Sequence, residues 1–261
     1  MNDNLHDTDL DRIRREIAGC MNEWKQREGV DFWREPLVAC ASACDPLFET
    51  LKEVVDPSHA TPRDILPEAR SVIVFFLPFR PEFGRENDSA GFHASRNWAV
   101  LYYRTNDLIR GINEHLQNYF TQAGYKSRIT PATHNFDEKK LVSLWSHKHL
   151  GYIAGLGTFG MNHLLITPAG CCGRLGSLVT SVPITPTQRP GRELCLEKSG
   201  RECLGCYSKC VYGGLKPGEE FDRQTCYAQC LANDSHFDDL PLVDVCGKCS
   251  CEVPCSYHSP A

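Results

Sequence analysis

Cysteines are concentrated in the last quarter of this chain. Cysteines at this density usually form disulfides, bind metal ions or ligate electron-transfer clusters. Ten of the fifteen cysteines lie between Cys195 and Cys255. Three explanations are physically reasonable, namely a disulfide scaffold, structural zinc and iron–sulfur clusters. The choice among them decides the function, because clusters would make the protein an electron-transfer enzyme.

Disulfides and zinc each leave part of this pattern unexplained. Disulfide scaffolds belong to small secreted domains, whereas this sequence has 261 residues and begins with a polar stretch that has no secretory signal. A zinc site could combine Cys203 and Cys206 with Cys246 and Cys249. Six other cysteines of the segment would then have no role.

Two [4Fe–4S] clusters need eight thiolates, and the segment supplies that number with fair spacing. Cys203-x2-Cys206-x3-Cys210 matches the last three ligands of a bacterial two-cluster ferredoxin run. The predicted metal ligands are Cys195, Cys203, Cys206, Cys210, Cys226, Cys246, Cys249 and Cys255. Cys251 or Cys230 remains an alternative to one of these eight.

Composition argues against polyanion-binding surfaces and membrane spans. The net charge is −5 and the isoelectric point is near 6.1, so no general polyanion-binding surface is indicated. The longest apolar run, Ser71–Phe79, is strand-sized and far short of the ~18 residues that cross a bilayer. We therefore expect a cytoplasmic protein without membrane contact, in a reducing compartment that protects thiols and clusters.

The chain that precedes the cysteine segment has the pattern of an α/β domain. The predicted helices span 10–24, 43–55, 98–120 and 137–153, and the predicted strands span 71–77, 127–131, 164–167 and 177–182. The strand over 71–77 is apolar on both faces, which indicates a central, buried position. A Pro- and Gly-containing linker over 183–200 follows. We therefore predict one domain over 1–185 and a ferredoxin-like two-cluster domain over 186–261.

A glycine-rich segment lies between a predicted helix and a predicted strand. Gly155, Gly157 and Gly160 form Gly-x-Gly-x-x-Gly, which in dinucleotide-binding proteins follows a strand and opens a helix. Here the order is reversed, and Gly176 and Ser177 stand where the acidic residue of that motif belongs. We therefore expect these glycines to let the backbone approach a flat cofactor of another kind.

The same region resembles a known family. Ala154-Gly-Leu-Gly157 is followed by Asn162, by the apolar strand Leu164–Ile166 and by a Gly-x-Leu-x-Thr strand that ends at Thr180. Together with the eight cysteines downstream, this order resembles epoxyqueuosine reductase and its reductive-dehalogenase relatives over roughly residues 65–255. The resemblance implies an α+β, nitroreductase-like sheet flanked by helices, with a two-cluster ferredoxin-like domain appended.

The resemblance also implies an oxidoreductase that contains cobalamin, expected in its base-off form. Electrons from an external donor such as ferredoxin or flavodoxin would pass through two [4Fe–4S] clusters to cobalt and cleave a substrate bond reductively. One cluster would take Cys195, Cys203, Cys206 and Cys255, and the other Cys210, Cys226, Cys246 and Cys249. The residues expected to contact the cofactor are Ser146, Gly155, Leu156, Gly157, Thr158, Phe159, Gly160, Asn162 and Arg174.

Two departures from the family pattern change the expected substrate. The sequence ends at Ala261 without the helical-repeat region that grips tRNA, and Leu141 stands where the family has its catalytic aspartate. Asp137 is near that position but out of register. We therefore expect a small-molecule substrate and regard tRNA as unlikely.

Reductive cleavage also needs a proton donor, for which three candidates stand out. Tyr102 and Tyr103 precede Arg104, and the dehalogenase relatives use a tyrosine beside a basic residue. His147 is the third, because imidazole titrates near neutral pH. The alternatives to a cobalamin reductase are a flavin-binding iron–sulfur oxidoreductase and a non-catalytic electron carrier or corrinoid reactivator.

Overall fold

The computed structural model describes residues 10–131 and 136–261. Its strands are β1 Leu37–Ser42, β2 Ser71–Pro78, β3 Ser127–Ile129, β4 Phe136–Asp137, β5 Val142–Ser143, β6 Thr158–Phe159, β7 Leu165–Ile166 and β8 Gly173–Thr180. Its α-helices are α1 Leu10–Glu28, α2 Leu47–Val54, α3 Pro62–Ile65, α4 Pro81–Ser89, α5 Arg96–Gln122, α6 His147–Ile153, α7 Gly205–Ser208 and α8 Arg223–His236. No helix in these ranges is long and apolar enough to cross a membrane.

The centre of the fold is a four-stranded antiparallel sheet in the order β1-β2-β8-β3. Every residue of β2 is buried. Ile73 and Phe75 belong to a core that includes α1 and α5, whereas Val74 belongs to a second core with α2 and α6. A strand that is apolar on both faces needs such cover on both sides. The predicted central strand and the predicted mixed α/β class are therefore confirmed.

The cysteine segment packs directly against this sheet and its helices. Phe237, Val243 and Cys251 belong to the same core as α1 and α5. The amide of Cys171, just before β8, donates to the carbonyl oxygen of Cys255 at 2.9 Å. These contacts join the two parts of the chain closely, and the domain boundary at 185/186 stays a prediction.

Gly247 shows how closely the cysteine segment approaches α5. It has φ +73°, and a Cβ there would lie 2.3 Å from the ring of Trp98. Only glycine tolerates both the left-handed backbone and the missing space. Gly247 thus brings the cysteines on either side of it against the first half of α5.

The helix predicted over 137–153 is wrong in its first half. Residues 136–143 form the short β4–β5 hairpin, and α6 begins only at His147. The Asp137 carboxylate accepts hydrogen bonds from the amides of Lys139 and Lys140, which stabilises the turn, and Leu141 has φ 54°. Local side-chain hydrogen bonds of this kind compete with helix formation.

Candidate redox and cofactor site

Four cysteines line a small cavity at the end of the chain. Cys195, Cys203, Cys206 and Cys255 surround it, and its other lining residues are apolar except for Asn162. Burial, with a further contribution from the charges of the three neighbouring thiols, raises the pKa of Cys206 to about 12. These are the four residues that the family resemblance assigns to one cluster, and the structure brings them together.

Six cysteines line a second cavity of about 400 Å³, here called the thiol cavity. They are Cys171, Cys210, Cys226, Cys230, Cys246 and Cys249. Helix α8 carries Cys226 and Cys230 one turn apart, so both project from the same face. The Cys230 thiol donates a hydrogen bond to Cys226, which lowers the pKa of Cys226 to about 7 and raises that of Cys230.

Cys251, the other alternative ligand, lies elsewhere. Its side chain is 0 % exposed within the main apolar core. The Asn87 amide donates to its sulfur at 3.4 Å, and the thiol of Cys172 forms a further hydrogen bond with it. Cys251 lines neither cavity, and the Cys171 sulfur lies 3.8 Å from that of Cys255 in the first set, so the additional thiol beside the second predicted ligand set is Cys230.

The thiols around the two cavities do not form a ready site for a single metal ion in the described ranges. Zinc holds its sulfur ligands at about 2.3 Å from one centre. Within 10–131 and 136–261, no three His, Cys, Asp or Glu side chains converge in that way. Four thiols around a cavity instead suit a larger body such as a [4Fe–4S] cluster.

One of the two candidate tyrosines reaches the thiol cavity. The Tyr102 hydroxyl donates to Oδ1 of Asp244 at 2.7 Å, and the Arg174 guanidinium lies 4.3 Å from the centre of the Tyr102 ring. All three residues line the thiol cavity. Tyr103 does not line it and packs instead beside Arg104, which pairs with a glutamate of α1 at 3.0 Å. The basic partner of Tyr102 is therefore Arg174 and not Arg104.

His147 does not stand where a proton donor would be needed. It is 9 % exposed and lines neither cavity, and its Nε2 donates to the carbonyl oxygen of Pro131 at 2.8 Å. Burial lowers its pKa to about 4, so the ring is neutral near pH 7. This corrects the expectation that His147 donates a proton. Its neighbour His149 lies at the wall of a third cavity, described below.

The buried His147 predicts a loss of stability in acid. Its pKa is about 4 in the folded chain against 6.5 for an ordinary histidine. Below pH 6.5 the unfolded chain binds a proton that the folded chain excludes, so the free energy of unfolding falls toward pH 4 by about 1.4 kcal/mol per pH unit from this group. We expect His147→Gln to reduce that slope in urea titrations and the exposed His258→Gln to preserve it. An unchanged slope in the first variant would contradict the assignment.

Two of the predicted cofactor glycines approach protein backbone instead of a cofactor. A Cβ on Gly157 would lie 1.9 Å from the carbonyl oxygen of Ile166, and one on Gly155 would lie 2.8 Å from that of Gln188. Gly155 also has φ +88°. Both glycines therefore allow close packing between loop and strand, which corrects the expectation of a cofactor cradle at these two positions.

The remaining predicted cofactor residues divide into two groups. Leu156 is buried in the core with α2 and α6, and the Thr158 hydroxyl accepts from the amide of Leu194 at 2.9 Å. Neither residue lines a cavity wall described here. The residues that do line one are Ser146, Phe159, Gly160, Asn162 and Arg174.

The third cavity, of about 820 Å³, is here called the basic cavity. Lys148, Lys198 and Arg223 line it, together with His149, His163 and several aromatic rings. Lys148, His163, Phe221, Cys226, Cys230 and Asp244 line both the basic cavity and the thiol cavity. The two spaces are therefore adjacent, with Asp244 at their common wall.

Unpartnered polar atoms on the thiol cavity's lining residues show what it could bind. Trp98 Nε1, Arg174 Nε and Gln229 Oε1 are buried without a hydrogen-bond partner in the described chain. Buried polar groups are normally satisfied, so such atoms indicate a ligand or water. Two donors and one acceptor suit a polar ligand, and amide groups such as those around the edge of a corrin ring have the matching chemistry.

Sequence reasoning missed Asp244, which supplies the carboxylate at this site. It lies between Val243 and Val245, just before Cys246. A lone acid in an apolar run beside a predicted metal ligand is a usable signal. Asp137, which the family comparison had drawn attention to, only stabilises its own turn.

Comparison with known proteins identifies the fold. No family profile and no curated protein matches this sequence. Selenomethionine-labelled epoxyqueuosine reductase superposes with a TM-score of 0.53 at 18 % identity, covering 92 % of this chain and 64 % of that one. Epoxyqueuosine reductase bound to an epoxyqueuosine-modified tRNA stem loop gives 0.51 at 16 %, covering 87 % and 59 %. Catabolic reductive dehalogenase NpRdhA gives 0.52 at 15 %, covering 73 % and 26 %.

These likenesses establish a shared fold at low identity. The chain has the fold of epoxyqueuosine reductases and reductive dehalogenases, as the sequence resemblance predicted. It spans less than two thirds of the length of each of these structures. One of them was solved with a tRNA stem loop, and the expectation that tRNA is an unlikely partner of this chain stays a prediction.

Proposed function

We propose that this chain is a cobalamin-dependent iron–sulfur reductase that cleaves a bond in a small anionic molecule. The observation that carries the proposal is that one cavity is lined by six thiols and by Tyr102, Asp244 and Arg174. Electron-carrying ligands and a proton donor thus stand at the same space. The fold shared with epoxyqueuosine reductase and a reductive dehalogenase supports the same reaction type.

The chain's own residues fit the proposed cofactors. Cys195, Cys203, Cys206 and Cys255 would hold one [4Fe–4S] cluster. Cys210, Cys246 and Cys249 would hold the other, with Cys226 or Cys230 as the fourth ligand. When bound, the clusters supply low-potential electrons, and a corrinoid cobalt supplies the reductant for bond cleavage. Trp98, Arg174 and Gln229 would bind its amide edge.

Tyr102 is positioned to supply the proton. Its hydroxyl lies at the wall of the thiol cavity and donates to Asp244. Turning that O–H toward the substrate would deliver the proton, and the Arg174 cation above the ring would stabilise the tyrosinate. Asp244 also lines the basic cavity, so it can return a proton to Tyr102 from there.

The basic cavity supports an anionic substrate. Lys148, Lys198 and Arg223 line it, and no carboxylate in the described ranges forms an ion pair with them. Phe159 and Phe221 add apolar wall. A small molecule with an apolar body and a carboxylate or phosphate group matches both properties.

Arg223→Gln tests the substrate class. We expect the variant to raise KM for an anionic substrate roughly tenfold, because one charge-assisted hydrogen bond is lost, and to leave kcat nearly unchanged. A neutral amide analogue of the same substrate is the control, and its KM should not change. Equal effects on both compounds would contradict anion recognition, and turnover confined to a tRNA stem loop would replace the small molecule with RNA.

Reconstitution tests the cofactors directly. The protein would be purified without oxygen, supplied with iron, sulfide and hydroxocobalamin, and analysed for metals and absorbance. About eight irons and about one cobalt per chain, with a base-off corrinoid band, are expected. Eight irons without cobalt would favour a flavin enzyme or an electron carrier. Zinc in place of iron would overturn the redox proposal.

A further inference from the structure

The two cysteine-lined cavities differ in charge. No lysine or arginine lines the small cavity around Cys206. The thiol cavity around Cys249 is lined by Lys148 and Lys248 as well as by Arg174. Nearby cations lower the electrostatic energy of any group that gains negative charge, so the two cavities would affect such a group differently.

Lys248 is the more unusual of the two lysines. It is 2 % exposed, and its ammonium donates to the backbone carbonyl oxygen of Asn87. No carboxylate in the described chain forms an ion pair with the Lys248 ammonium. The Asp88 carboxylate is near enough to interact electrostatically with it, but it already forms an ion pair with Lys209. A buried ammonium without a counter-charge is strongly unfavourable. Negative charge beside it would offset that cost and keep the lysine protonated.

The negative charge that fits is on the neighbouring sulfurs. Lys248 immediately precedes Cys249 in sequence and lines the thiol cavity, and the thiols whose charges act on it are Cys246 and then Cys251, which lines neither cavity. Lys148 is half-buried and donates to the carbonyl oxygen of His163 at 2.9 Å, and the charges that act on it most favourably are those of Cys226 and Cys249. Both lysines thus face the same predicted ligand set.

We propose that Lys248 and Lys148 are the counter-ions of the cluster at the thiol cavity and raise its reduction potential above that of the cluster at the small cavity. This inference rests on the proposed function. A cluster gains one negative charge when it takes up an electron, so a nearby cation stabilises the reduced form. Electron transfer from the cluster that Cys206 would help to hold to the one that Cys249 would help to hold would then be downhill, because the two lysines would stabilise the reduced form of the latter.

The position of Asn162 fits electron transfer between the two clusters. Its side chain lines both cavities, and its amide donates to the carbonyl oxygen of Cys249 at 3.1 Å and to the sulfur of Cys171 at 3.8 Å. The Cys171 sulfur in turn lies 3.8 Å from that of Cys255. The two ligand sets are therefore separated by very few side chains.

Redox titration followed by electron paramagnetic resonance tests the inference. The reconstituted parent would be compared with Lys248→Gln, Lys248→Arg and Lys216→Gln, and Cys206→Ser would identify the signal of the cluster at the thiol cavity. Lys216 lies in the same segment but has a 54 % exposed side chain, so water and salt screen its charge. We expect Lys248→Gln to lower the potential of that cluster, with a smaller shift in the other, and the two control variants to stay near the parent.

Each outcome decides the inference. If Lys248→Gln fails to load iron, Lys148→Gln takes its place, and the same downward shift is required of it. Parent-like potentials in the glutamine variants, with full iron content, would overturn the counter-ion role and leave the proposed function standing. A parent that carries only one cluster or none would overturn both, and the iron content of the parent tells these cases apart.

Discussion

Cys249→Ser is expected to remove about half of the iron from the reconstituted protein and to abolish turnover. Cys249 is enclosed by the thiol cavity, and the charges of Cys246, Cys226, Cys210 and Cys206 all act on it. Its thiol therefore interacts electrostatically with the other three members of the second predicted ligand set. Serine is a poor ligand for iron in a cluster, so the cluster at this site would not persist.

Cys251→Ser is the matched control. It makes the same chemical change two residues away, at a thiol that lines neither cavity and contacts Cys172 and Asn87 instead. We expect full iron content and turnover close to the parent, with a modest loss of stability because a buried hydroxyl replaces a thiol. Metal analysis and the cluster absorbance band measure both variants. Iron loss in Cys251→Ser with none in Cys249→Ser would show that the ligand assignment is wrong.

Cys226 and Cys230 mark the limit of what cysteine spacing can predict. Short spacings such as Cys203-x2-Cys206 place thiols together by local geometry, so the sequence is sufficient there. The two cysteines of α8 share one helical face, and both reach the thiol cavity. Sequence spacing cannot choose between two thiols that a single helix presents to the same space.

The proton-donor arrangement depends on long-range packing that periodicity does not contain. Tyr102 and Asp244 are 142 residues apart and meet because the cysteine segment packs on the first half of α5, where Gly247 approaches Trp98. Arg174 comes from β8, the strand that pairs with the central strand β2. The sequence predicted a tyrosine beside a basic residue and pointed to Arg104, the neighbour in sequence. In the structure the basic residue beside Tyr102 is Arg174.

The glycine segment shows a similar partial success. Glycine at 155 and 157 does signal close approach of backbone, as expected. Tertiary packing decides which groups approach these glycines, and they are the carbonyl groups of Gln188 and Ile166.

In contrast, the central strand β2 and the long helix α5 were predicted within a few residues, because their burial follows from their own periodic pattern.

Tyr102→Phe is expected to lower turnover by about 10²- to 10⁴-fold, the usual contribution of a positioned general acid. Phenylalanine keeps the ring beneath Arg174 and removes only the hydroxyl that donates to Asp244. Iron and corrinoid contents should therefore match the parent. Anaerobic steady-state kinetics together with metal analysis separate a lost proton donor from a lost cofactor.

The adjacent tyrosine makes this test discriminating. Tyr103→Phe removes the same atom one residue away, on a side chain that packs beside Arg104 and lines neither of the larger cavities. We expect it to retain turnover within about twofold of the parent, as for a typical surface change. Asp244→Asn should fall between the two, because the amide still accepts the tyrosine's hydrogen bond but no longer returns a proton. Equal turnover in all three variants would mean that the proton comes from water or from the substrate itself.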